Sequence, residues 1–132
     1  MKYALTVFAF IMTASAAIAQ ADSVKGNQYL LKGKIINEIS LPPYCGGIAF
    51  ATVIQFKIIS FSDSSWHGKQ IAMIFTCPEF YGKDFFERGK KYEVVVSDQN
   101  QANFSWTIIN GQVLEKYNLR YKPWVIKAKK IE

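Results

Sequence analysis

The stretch from Ile48 to Phe61 constrains everything around it. Ile48, Phe50, Ile54, Phe56 and Ile58 recur at a spacing of two, with Gln55 and Lys57 on the opposite phase. That period belongs to a β-strand with one buried face. The run is longer than the usual strand of about five or six residues. Ile59 and Phe61 carry apolar character onto the second face at its far end. A strand this long bends or serves two regions of a sheet, as strands of small closed sheets do.

Other segments repeat the signal. Tyr29, Leu31 and Ile35 alternate with Leu30, Lys32 and Lys34, and Gly33 falls on the inward phase, where a bulge or sharp bend is expected. Ser40-Leu41-Pro42-Pro43-Tyr44-Cys45-Gly46-Gly47 reads as a loop. Ser62–Gly68 reads as a hairpin connection to a return strand, Lys69–Cys77, which Pro78 stops. Residues 79–89 break the pattern, and Asp84 is expected to cap one helical turn through Phe85–Arg88, ended by Gly89. Strands are expected over Lys90–Asp98 and around Phe104, Trp106 and Ile108, with a turn at Asn110-Gly111. Gln112–Asn118 fits strand or helix. A last strand is expected over Tyr121–Ile131, with Trp124, Ile126 and Ala128 in phase and Pro123 marking an edge or a beginning.

The N-terminus reads differently. Lys2, an apolar run through Met12 and the small-residue ending Ala17-Ile18-Ala19 form the pattern of a secretory leader over residues 1–19. Residues 20–132 are then one exported domain, periplasmic or secreted, beginning at Gln20. No later apolar run reaches the ~20 residues of a membrane helix, so no transmembrane anchor is expected. The chain carries 16 Lys and Arg against 10 Asp and Glu, and the leader removes only Lys2 from that balance. The excess favours anionic partners or serves solubility. In sequence the charges are scattered; only Lys127, Lys129 and Lys130 cluster.

Two cysteines, Cys45 and Cys77, follow the leader. An even count in an oxidising compartment points to one disulfide, pinning the Ser40–Gly47 loop to the end of a neighbouring strand. Two separate buried thiols are the alternative. The paired short spacing of zinc ligands is absent, and His67 falls in a turn expected to be solvated, so no metal or other cofactor is expected.

The element order selects among small all-β folds. One strand with a central glycine, a long hairpin, a helix-like break and later strands fit an OB-like antiparallel barrel of five to six strands better than a sandwich. Ala51-Thr52-Val53-Ile54-Gln55-Phe56-Lys57, Thr76-Cys77-Pro78 and Arg88-Gly89-Lys90-Lys91-Tyr92-Glu93-Val94-Val95-Val96 together resemble the netrin-like module, an OB-type domain also found in tissue inhibitors of metalloproteinases. The resemblance implies the fold and a binding role. Those inhibitors act through an N-terminal cysteine; here none precedes Cys45, so that mechanism does not carry over.

Catalytic patterns are missing. There is no nucleophile elbow, phosphate loop or dinucleotide fingerprint. Glu79, Asp84 and Glu87 lie close in sequence but suit a solvated turn. The expectation is a non-enzymatic binding domain for a protein or cell-envelope component. The alternative is a glycan- or anion-binding OB module; nucleic acid is disfavoured by export. Binding residues would be Tyr44 on the stiff Pro42–Gly47 loop, outward rings at Trp66 and Tyr81, and Lys32, Lys34, Lys57 and Lys69.

Overall fold

A computed structural model describes residues 23–132; the leader expected over residues 1–19 lies outside the described residues. The described chain is mainly β. Its strands are β1 (Gln28–Ile35), β2 (Phe50–Phe61), β3 (Gln70–Thr76), β4 (Lys91–Ser97), β5 (Thr107–Ile109) and β6 (Trp124–Ile131), with 3-10 segments at Pro78–Tyr81 and Gly111–Tyr117.

Hydrogen bonds link β1, β4, β6, β3 and β2 in that order, and β2 returns to β1. One edge of β2 is taken by β3. The other is shared, by β5 at Phe50–Thr52 and by β1 from Phe56 to Phe61. The long strand therefore does serve two regions. The sheet is mixed, which corrects the antiparallel expectation, and parity explains why. Strands of alternating direction cannot close around an odd number, so a five-membered ring needs a parallel neighbour. Here it is β3 and β6: Ile74 stands opposite Trp124, and the Ile74 N–H donates to the Pro123 carbonyl at 2.8 Å. β5 adds a second parallel pairing, beside β2.

Gly33 behaves as its phase requires. The β1–β2 register shifts between Lys32 and Gly33. A Cβ at Gly33 would lie 2.9 Å from Leu31 Cδ2 and 3.0 Å from the Lys57 carbonyl oxygen. A second shift, at Val95/Val96 against β6, divides the last strand. Val125 and Ala128 join the inner cluster while Trp124 faces an outer one, so the single phase expected for Trp124, Ile126 and Ala128 does not hold.

Two apolar clusters follow from this layout. Inside the ring lie Leu31, Ile35, Ile54, Phe56, Ile71, Met73, Phe75, Tyr92, Val94 and Val96. Side chains of this size contribute roughly 1.5–3 kcal/mol each when fully buried. The opposite faces of β2 and β3 hold Ala51, Val53, Ala72 and Ile74, which with Trp124 are covered by Trp106, Ile108, Val113, Leu114 and Tyr117. That cover resolves the ambiguity over Gln112–Asn118, which is mostly 3-10 helix. Asn110, left-handed at φ 60°, turns the chain from β5 into that helix.

The connection from β3 to β4 is helical elsewhere than expected. The turn forms at Pro78–Tyr81 and ends at Gly82, φ 102°. Phe85–Arg88 is not helical. Adjacent residues of an α-helix point about 100° apart, whereas Phe85 and Phe86 both pack inward. Phe86 lies 5.0 Å from Phe75 and Phe85 5.3 Å from Tyr92, centroid to centroid. The Tyr92 hydroxyl fixes this backbone, accepting the Glu87 N–H at 2.8 Å and donating to the Phe85 carbonyl.

Candidate functional site

Cys45 and Cys77 form a disulfide, with Cα atoms 5.6 Å apart. Cys77 leaves β3 in left-handed backbone, φ 42°, and its N–H donates to the Phe50 carbonyl at 3.0 Å. The loop between β1 and β2 is tied down at further points. Asn37 Oδ1 accepts the Gln55 N–H at 2.9 Å, the Thr52 hydroxyl donates to the Ser40 carbonyl at 3.0 Å, and the Cys45 N–H donates to Glu79 Oε1 at 2.6 Å. A loop without regular structure is thus held in one shape by covalent and polar contacts.

This held loop displays apolar surface. Tyr44 is 82% exposed and Phe80, just beyond the other half-cystine, 80%. Leu41 and Ile48 are also exposed, so half of the eight exposed large apolar side chains among the described residues lie on these two joined segments. A groove of about 340 Å³ runs between Leu41–Tyr44 on one side and Glu79, Gly82 and Lys83 on the other. Glu79 Oε2 is buried there without a hydrogen-bond partner. Cys45, Cys77 and Glu79 are the one group of potential metal ligands brought together among the described residues. The two sulfurs are bonded to each other, and a disulfide offers no thiolate to a metal.

Phe80 was missed in the sequence. Its signal was Pro78 after a strand-ending cysteine, which starts a turn at once. That turn sends Phe80 out and Tyr81 in, correcting the expectation of an outward Tyr81. Tyr81 packs against Phe75 and Phe86 at 5.7 and 5.6 Å, and burial pushes its hydroxyl pKa up. Trp66 also differs from expectation. Its ring packs on the inner cluster and lies over Gly68, and the indole N–H is buried without a partner.

The expected binding residues do not form one site. Tyr44 lines the stapled groove. Trp66 and Lys69 line a second groove at the β2–β3 hairpin tip, of about 600 Å³, with His67, Lys116 and Arg120. His67 is exposed, as expected of a turn. Lys32, Lys34 and Lys57 share the outer face of β1 and β2. The three carboxylates also separate in role. Glu79 holds the Cys45 N–H, Glu87 pairs with Lys130 at 2.6 Å, and Asp84 is exposed.

A buried acid fixes the hairpin tip. Asp63 accepts the Ser65 N–H at 3.0 Å, the Ser65 hydroxyl at 2.6 Å and the Tyr121 hydroxyl. Burial pushes its carboxyl pKa up, but those bonds and the nearby Arg120 charge outweigh it and hold the pKa below the usual value. Burial and the bond to Asp63 push the Tyr121 hydroxyl up in turn. Among the described residues, no helix is long and apolar enough to cross a membrane. Comparisons with protein-family models, curated proteins and solved structures find no match to this chain.

Proposed function

We propose that the protein is an exported, non-catalytic binding domain that recognises a protein of the cell envelope through its disulfide-held loop. One observation carries this reading: Tyr44 and Phe80 are 82% and 80% exposed on segments that Cys45–Cys77 locks together. Aromatic rings are favoured at protein interfaces, and a contact loop ordered in advance lowers the entropic cost of association. The disulfide fits an oxidising compartment and the leader-like N-terminus. The strand ring, with its parallel β3–β6 pairing and its short helical connection after β3, supports reading the fold as an OB-type barrel. The netrin-like resemblance extends that reading to a binding module, without the inhibitory cysteine.

A photoreactive phenylalanine analogue at position 44 or 80, with position 104 as an exposed control, tests the proposal in envelope preparations. One discrete protein adduct from positions 44 and 80 and none from 104 is expected. No adduct, or the same adducts from all three, would defeat it.

A second reading, an anion-binding module, is favoured by Lys32, Lys34 and Lys57 sharing one face.

A further inference from the structure

Lysines dispersed along the sequence are gathered by strand pairing. Lys34 of β1 stands opposite Lys57 of β2 on one side and Lys91 of β4 on the other. The next outward row is Lys32, Glu93 and Lys129, and beyond it Lys127 faces Val95. Neighbouring residues on β1, β2 and β4, including Ile35, Phe56, Tyr92 and Val94, are buried, so these lysines occupy the solvent face. Lys32 and Lys129 share Glu93, at 3.8 and 3.3 Å. Among the described residues, no carboxylate pairs with Lys34, Lys57, Lys91 or Lys127. Six lysines less one glutamate put five charges on this face, against a formal +6 for the whole chain.

Like charges directly opposite one another destabilise a sheet. At ~4.8 Å per strand, the Lys57–Lys34–Lys91 row spans about one Debye length at 0.1 M salt, so its members repel one another. Solubility does not require that arrangement, since any polar residue serves a solvent face. An opposing anionic surface removes the repulsion.

We propose that this face docks on the surface of an anionic lipid bilayer. The side chains select this occupant. The cations are all lysine, compact hydrated point charges on long apolar stems, with no arginine fork to grip one group. None of the outward positions in these rows is aromatic, so the means of stacking a base or a sugar is missing. Leu30, two residues before Lys32, is 41% exposed, and Ile59, two after Lys57, is 57% exposed. Aliphatic chains among lysines suit the boundary between headgroups and acyl chains. The proposal depends on neither Tyr44 nor Phe80, so the two readings fail separately.

The test is co-sedimentation of the purified, disulfide-bonded protein with vesicles. One set is phosphatidylcholine with about a third phosphatidylglycerol, the other phosphatidylcholine alone. Binding to the anionic vesicles only, lost at high salt, is expected. At about fivefold per lysine, Lys34→Gln with Lys91→Gln lowers partitioning roughly 25-fold. Lys25→Gln with Lys122→Gln, which removes the same charge from exposed positions outside the face and outside the stapled groove, leaves it within about twofold. Thermal unfolding of the first pair no lower than the parent's shows that the fold is kept. Three results would overturn the proposal: no binding to anionic vesicles, equal loss in both double variants, or preferential binding to soluble heparin or polyphosphate.

Discussion

One hydroxyl group, that of Tyr92, holds the Phe85–Glu87 backbone by both accepting and donating. Tyr92→Phe keeps the ring and leaves those groups to find other partners. It should cost roughly 1–3 kcal/mol in chemical denaturation. Lys34 tests the opposite sign. Lys34→Glu turns a row of three like charges into two favourable pairs, so thermal stability should rise by a few degrees at low salt and the gain should shrink at high salt. Asp63 sets an acid limit. Its folded pKa is depressed, so its stabilising effect is complete above the unfolded carboxyl's ~3.9 and is lost as pH falls through the folded value. The stability gap between parent and Asp63→Asn, measured in urea, should therefore be widest near neutrality and narrow below about pH 4. Gly33 was legible because a glycine on an inward phase has few other uses. Tyr81 and Phe80 were not, because moving a turn by a few residues exchanges which ring faces solvent.

The strands β1 to β4 were legible within a residue or two, since each alternates around a buried face. The disulfide was legible from the even cysteine count and from the oxidising compartment that the leader-like N-terminus led one to expect. Cys45→Ser with Cys77→Ser should cost about 3–4 kcal/mol, from the loop closed by a 32-residue separation, and should loosen the Ser40–Gly47 segment in hydrogen exchange. β5 and the Gly111–Tyr117 helix were harder to read. They cover the outer faces of β2 and β3, and a cover's conformation is set by the surface beneath it rather than by its own period. The Val95/Val96 shift hid the face of Trp124 for a related reason: a bulge is a property of two strands, and one sequence segment shows only one of them.

At the scale of the molecule, alternation could show that the chain is β but not which neighbours run parallel. That depended on how many strands enter the ring. Charge behaved similarly. Lysines that look scattered along the chain become one face once β2, β1, β4 and β6 lie side by side. The candidate contact loop was visible from Pro42, Pro43 and Tyr44, but its second half, Phe80, arrives only through the disulfide and the turn at Pro78. The measurement that bears most directly on the central claim is hydroxyl-radical footprinting of the protein alone and in envelope extract. Tyr44 and Phe80 should lose reactivity in the extract while exposed Phe104 keeps it. Unchanged reactivity at both rings, or protection confined to the hairpin tip around Trp66, would contradict a disulfide-held contact surface.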